Sequence, residues 1–102
     1  MPPKTAPKIA LDPNTHIPGY HINDSTAVRR KVLSAHVRRV ARKKQESRHS
    51  AAKRIKSRLN VLRIYRRRRQ VAQCRSITRD MRFLDRAFGG KVPSRTRDIC
   101  GL

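Results

Sequence analysis

A long run of positive charge constrains this chain more than any other feature of its sequence. Residues 25–79 contain 20 Lys and Arg side chains and one acid, Glu46. Over all 102 residues the formal charge reaches +21 at pH 7. Like charges within a Debye length, about 8–10 Å at physiological salt, repel one another and oppose compaction. We therefore expect a polyanionic partner and a free chain of marginal stability.

The apolar content is small for a chain of this length. Only 36% of the residues are hydrophobic, and they include two Phe, two Tyr and no Trp. A small domain buries a modest fraction of its surface even when it is well packed, so one small domain is the most that we expect. No segment approaches the roughly 18 consecutive apolar residues of a membrane span, which predicts a protein that is not transmembrane.

Prolines mark the N-terminal part of the chain. Five of the six prolines lie within residues 1–23. Each proline fixes its own φ and favours an extended residue before it, which predicts an extended arm with turns at Asp12-Pro13-Asn14 and Pro18-Gly19. Residues 91–102 are basic and are predicted to form an extended tail.

The segment between arm and tail, residues 24–90, is predicted to be mainly α, with two longer basic helices and one short helix. The first spans about residues 26–44, after the cap-forming residues 23–26, with Leu33, Val37, Val40 and Ala41 on one side. The second spans about residues 51–73, with Ser50 as a candidate cap. It would carry four consecutive arginines, Arg66–Arg69, around all its sides.

The third helix is predicted at residues 79–88. Ser76 or Thr78 would cap it, Asp80 would lie in its first turn, and Gly89-Gly90 would end it. Its apolar residues are expected to pack on the apolar stripe of the second helix. The predicted packing contacts are Leu59, Leu62, Met81, Phe83, Leu84 and Phe88.

The basic residues of the helices are the candidate polyanion-binding site. Arginine predominates, and its planar guanidinium makes forked hydrogen bonds to phosphate and carboxylate. Nucleic acid, anionic lipid and acidic protein surfaces are all possible partners. Only Tyr65 is available for base stacking, so nucleic-acid binding would be sequence-indifferent and salt-sensitive. The candidates are Arg29, Arg30, Lys31, Arg38, Arg39, Arg42, Lys43, Lys44, Lys53, Arg54, Arg63, Arg66, Arg67, Arg68 and Arg69.

Nothing in the sequence indicates catalysis, a metal site or a cofactor. The six acids are scattered, and neither a glycine-rich phosphate loop nor a nucleophile motif is present. His16, His21, Cys74 and Cys100 match no zinc-ligand spacing. Two lone cysteines are compatible with free thiols in a reducing compartment, which we favour over a disulfide or a metal site, but the sequence alone does not fix their state.

Several short motifs resemble a family of small basic proteins of nucleocytoplasmic large DNA viruses, found in chlorella viruses and mimiviruses. They lie in residues 19–25 and 29–33, in Arg58-Leu59-Asn60-Val61-Leu62 and in Asp80-Met81-Arg82-Phe83-Leu84. The resemblance covers about residues 17–90. The chain departs from the family in its short N-terminal segment and in residues 68–71. The resemblance implies a minor capsid or core-associated protein.

These observations lead to three hypotheses about function, the last of which is an import or matrix adaptor that would be a soluble, largely disordered monomer. The first is a minor structural protein that cements capsid subunits on the inner side of a virus particle, with its arginines facing acidic protein, lipid or genome. The second is a sequence-indifferent nucleic-acid-binding protein of the ribosomal or genome-condensing type. The first places the chain in the virion, and in the host nucleus or cytoplasm during assembly.

Overall fold

The computed structural model describes residues 17–89 and 96–102, which form three helices and no strand. They are α1 (Thr26–Lys44), α2 (Arg48–Ile64) and α3 (Val71–Phe88). The prediction of a mainly α fold is confirmed. The predicted extended structure of residues 1–16 and 90–95 lies outside the described residues.

Helix α1 has the bounds that its cap residues predict. Ser25 is the N-cap, and its Oγ accepts a hydrogen bond from the backbone N–H of Val28 at 3.3 Å. The helix ends at Lys44, and Gln45 is its C-cap. The left-handed φ of 53° at Gln45 lets its N–H reach back to the carbonyls of the last turn. Val37 and Val40 on the predicted apolar side are buried.

The break between α2 and α3 differs from the prediction. Helix α2 ends at Ile64, nine residues before the predicted end, and α3 begins at Val71, eight residues before its predicted start. Residues 65–69 form a turn between them. Arginine is a good helix former, so local propensity gave no reason to stop here. The two apolar faces can reach one core only if the chain reverses direction, and the turn provides that reversal.

The predicted caps of α2 and α3 are also wrong. Ser47, not Ser50, caps α2, and its Oγ accepts from the backbone N–H of Ser50 at 3.1 Å. Ser76, Thr78 and Asp80 lie inside α3 rather than at its start. The hydroxyl of Thr78 donates to the carbonyl of Cys74, one turn earlier, at 2.9 Å.

One hydrophobic core joins the three helices. Leu33 and Val37 from α1, Ile55 and Leu59 from α2, and Leu84 from α3 are all almost fully buried. Of the predicted packing contacts, Leu59, Met81 and Leu84 lie in this core, and the partly buried Leu62, Phe83 and Phe88 pack against it.

The end of the proline-rich segment folds onto the bundle. The N–H of Tyr20 bonds to the carbonyl of Ile17 at 3.1 Å, which closes the predicted turn at Pro18-Gly19. Ile17 is buried in the core, and Tyr20 and Ile22 pack against it. These residues are therefore part of the helical unit and not of an extended arm.

Cys74 and Cys100 form a disulfide, so the expectation of free thiols is wrong. The bond attaches the C-terminal residues to α3 across a sequence separation of 26 residues. The N–H of Gly101 also bonds to the carbonyl of Arg67 at 2.6 Å.

Replacing both cysteines by alanine is expected to lower the free energy of unfolding by roughly 3 kcal/mol, because the open chain regains the loop entropy that the crosslink removes. Urea denaturation monitored by circular dichroism measures the change. Reduction of the wild-type chain should cause a loss of similar size. A loss below about 1 kcal/mol in both experiments would contradict a stabilising role for this disulfide.

Candidate nucleic-acid interface

The predicted polyanion-binding residues separate into three groups in the structure. Some are buried and bonded within the chain, others lie in the turn between α2 and α3, and most of the rest are exposed on the helices. The buried group cannot meet an external polyanion without rearrangement of the core.

Arg29 belongs to the buried group, with 5% of its surface exposed. Its Nε donates to Oδ2 of Asp80 at 2.7 Å, and Asp80 is fully buried. The hydroxyl of Tyr20 donates to the same oxygen at 2.6 Å. Burial, together with this bond to Asp80, raises the pKa of Tyr20 far above its usual range, so the phenol stays protonated as a donor. The prediction that Arg29 binds an external polyanion is therefore wrong.

Arg63 is the second buried cation, with 6% of its surface exposed. Its guanidinium donates to Oδ1 of Asn60 at 2.9 Å, to Oγ1 of Thr78 at 3.1 Å and to the carbonyl of Arg97 at 2.6 Å. Burial lowers the pKa of Arg63 from the ordinary value of arginine. Its surroundings give this residue a structural role that the sequence did not reveal.

The four arginines Arg66–Arg69 lie in the turn after α2 and not around a helix. Arg66 donates to the carbonyl of Leu62 at 2.9 Å and to Oε1 of Gln73 at 3.0 Å. Arg68 donates to the carbonyl of Leu102 at 2.9 Å. Cations suit the carboxyl end of a helix, where free carbonyls concentrate negative partial charge. Two of the four arginines therefore stabilise the turn.

Helix α1 carries a line of exposed cations opposite its buried side. Lys31, Arg38 and Arg42 recur at i, i+7 and i+11, and the rotation of about 100° per residue places them on one line. We call these three residues the α1 ridge. Arg39 is exposed beside it, and Lys43 and Lys44 are exposed near the end of the helix.

The remaining predicted cations have individual surroundings. The guanidinium of Arg30 lies over the ring of Phe83, 5.2 Å from its centroid, and the residue is partly buried. Arg54 is exposed and bonds to both carboxylate oxygens of Glu46 at 2.8 and 2.9 Å. Lys53 of α2 is exposed.

Helix α3 carries a second line of cations that the sequence prediction missed. Arg75, Arg79, Arg82 and Arg86 recur at i, i+4, i+7 and i+11, and all four are exposed. We call them the α3 ridge. Their spacing is a helical signal in the sequence itself, but the predicted break before residue 79 concealed it.

In the described part of the chain, no carboxylate forms an ion pair with a residue of either ridge. Of the ion pairs in this part of the chain, one joins Arg29 to Asp80, another Arg54 to Glu46 and the third Lys56 to Asp85. No ridge residue takes part in any of them. Each ridge therefore presents unpaired positive charge to the surroundings, and such charge attracts polyanions over several ångströms.

Other binding chemistry finds little support in residues 17–89 and 96–102. No group of three or more His, Cys, Asp or Glu side chains is arranged to hold a metal ion there. None of the three helices has the length and apolar character needed to cross a membrane. Tyr65 is exposed, and it is the only aromatic residue among the large exposed apolar side chains of the described residues. Stacking on successive unpaired bases therefore has no platform in the described residues.

Comparison of the sequence and the structure with family models, curated proteins and solved structures gives no match. The resemblance to viral proteins therefore stays a prediction that rests on the short motifs alone. The functional proposal therefore rests on the positions of the exposed cations.

Proposed function

We propose that this chain is a non-enzymatic nucleic-acid-packing protein that joins two duplex segments through its two ridges. The observation that carries the proposal is the placement of the ridges. Helices α1 and α3 bury their apolar sides in the same core. The α1 ridge and the α3 ridge lie opposite those sides, so both face away from the shared core, and in the proposal each ridge binds its own duplex segment.

The length of a ridge suits a duplex backbone. Arg75 and Arg86 are 11 residues apart in α3. At about 1.5 Å of rise per residue the α3 ridge is about 16 Å long, and a duplex segment of that length carries roughly ten phosphate charges. Contacts to phosphates carry no base information, so the binding would be sequence-indifferent.

The ridges fit anionic lipid less well. An amphipathic helix on a membrane surface sets its cations beside a broad apolar face that enters the lipid. In α1 and α3 the apolar faces are used by the core. Among the described residues, the large apolar side chains that are clearly exposed are Val28, Ile64, Tyr65 and Leu102.

The capsid-cement hypothesis remains a proposal supported by the motif resemblance. The sequence placed the four arginines Arg66–Arg69 around all sides of a helix, where each would face either a surrounding partner or solvent. Two of them bond within the chain instead. A genome-packing role agrees with the same virion setting, so we also propose the virion as the location, with host nucleus or cytoplasm during assembly.

Energy transfer between two differently labelled short DNA duplexes tests whether the chain joins them. We expect the wild-type chain to bring the duplexes together at low salt. The triple substitution Lys31→Gln, Arg38→Gln and Arg42→Gln removes one ridge. It should leave each duplex bound but abolish the energy transfer, because only the α3 ridge is left to bind.

A matched control removes three exposed cations that lie off the ridges, with Lys43→Gln, Lys44→Gln and Arg48→Gln. It has the same net charge as the α1 ridge variant and should keep most of the energy transfer. Equal loss in both variants, or duplexes that stay apart with the wild-type chain, would contradict the two-ridge proposal.

A further inference from the structure

A basic groove runs between α2, α3 and the C-terminal residues 96–102, and no ridge residue is among those that line it. Its volume is about 610 Å³. The charged side chains that line it are all cations: Lys53, Lys56, Arg63, Arg67 and Arg97. Of these five, only Lys56 has a carboxylate partner in the described part of the chain, Asp85 at 2.7 Å.

Arg63 makes this groove different from an ordinary basic surface. Its buried guanidinium bonds to three oxygens of the chain, and all three are neutral. In the described part of the chain no carboxylate pairs with it directly, and Asp98 attracts it only from a greater distance. Residues 90–95, next to the groove in sequence, contain Lys91 and Arg95 but no acid. A buried charge is costly unless a counter-charge accompanies it, and the described residues place none in contact with Arg63.

We propose that the groove binds an oligophosphate group, and that the group supplies the counter-charge for Arg63. A volume of this size lies within the range of pockets for single small molecules, about 300–1,000 Å³. A phosphate monoester carries about −1.5 to −2 charges at neutral pH. The four lining cations that have no carboxylate partner therefore balance roughly two phosphates. Guanidinium forks match phosphate oxygens in geometry. Of the neutral polar side chains that line the groove, Asn60 can donate from its amide nitrogen to a further oxygen, whereas the hydroxyls of Ser57 and Thr96 already donate to the carbonyl of Lys53 and to Asp85.

Isothermal titration of sodium tripolyphosphate into the disulfide-bonded full chain tests the proposal. Arg67→Gln with Arg97→Gln removes two lining cations. Both residues serve the fold through backbone carbonyls, which accept from Gly101 and Arg63, so these bonds survive the substitutions. The affinity for tripolyphosphate should fall on the order of 100-fold, as expected for the loss of two charge-assisted hydrogen bonds.

The control for this titration is Arg75→Gln with Arg86→Gln, which removes the same charge from the α3 ridge. Because neither residue lines the groove and exposed charges are screened at physiological salt, its affinity should fall less than about threefold. Equal losses in the two double variants, or no binding of tripolyphosphate to the wild-type chain, would overturn the proposal.

Binding of two oligonucleotides of the same sequence, one with a 5′-triphosphate and one with a 5′-hydroxyl, distinguishes the two sources of the oligophosphate. Tighter binding of a 5′-triphosphate strand than of its 5′-hydroxyl counterpart would assign the groove to nucleic-acid ends. Equal binding, with tripolyphosphate still bound, would assign it to free oligophosphates such as nucleotides. The Arg67/Arg97 variant should still join duplexes, so failure of the groove proposal is separable from failure of the two-ridge proposal.

Discussion

The substitution Asp80→Asn is expected to lower the free energy of unfolding by about 3–5 kcal/mol, the cost of leaving one partner of a buried ion pair without its counter-charge. Asp80 is fully buried, and its Oδ2 accepts from Nε of Arg29 at 2.7 Å and from the hydroxyl of Tyr20 at 2.6 Å. The amide keeps the shape of the carboxylate but removes the negative charge. Arg29 then stays buried as a cation without compensation.

Urea denaturation measures this loss, and a thermal melt should show a midpoint lower by roughly 12–24 °C for a loss of 3 kcal/mol. Replacing both partners, with Arg29→Met and Asp80→Leu, should cost much less than the sum of the two single substitutions, because no charge is then left buried. A loss below about 1 kcal/mol for Asp80→Asn would show that the ion pair does not hold the bundle together.

This network also explains the short motifs near the start of the chain. Tyr20 is 60 residues from Asp80 and Arg29 is 51 residues from it, yet the three side chains meet in the core. The sequence alone placed Arg29 among the polyanion-binding residues and Asp80 at a helix start. Each assignment follows from the local sequence pattern. A local pattern does not show which residues far apart in the sequence will form an ion pair.

Helix α1 was predictable because its signals are local. Ser25 supplies a cap, and no proline or glycine interrupts the apolar positions that follow it. The division between α2 and α3 was not predictable in the same way. Residues 65–70 contain good helix formers and no proline or glycine, and the break between the helices depends on tertiary packing.

The sequence predicted an exposed basic surface but not the position of all its cations on the helices. Charge density alone indicated a polyanionic partner, and the exposed cations of α1 were among the predicted residues. The α3 ridge was not predicted because Arg75 was assigned to the connection between the second and third helices and Arg82 to the third helix. The disulfide escaped because two isolated cysteines have no diagnostic spacing, and only the fold brings Cys74 and Cys100 together.

The α3 ridge should dominate duplex binding when the α1 ridge is absent. In the variant that carries Lys31→Gln, Arg38→Gln and Arg42→Gln, we add Arg75→Gln, Arg79→Gln and Arg86→Gln. Arg82 is retained because its Nε donates to the carbonyl of Thr96 at 3.1 Å and helps to hold the C-terminal residues. The slope of log K against log salt should become less steep by about 2.7, which is about 0.9 for each phosphate that the protein no longer neutralises.

The change in slope sets the change in affinity. If the two salt titrations meet near 1 M, where counterion release no longer drives binding, a slope difference of about 2.7 amounts to roughly 500-fold at 0.1 M salt. Fluorescence anisotropy of a labelled duplex over a range of salt concentrations measures both quantities. The control adds Lys43→Gln, Lys44→Gln and Arg48→Gln to the same background, which gives the same net charge but keeps the α3 ridge. If duplex binding depends only on total charge, the two six-residue variants will have the same slope. That result would contradict a specific role of the ridges in duplex binding.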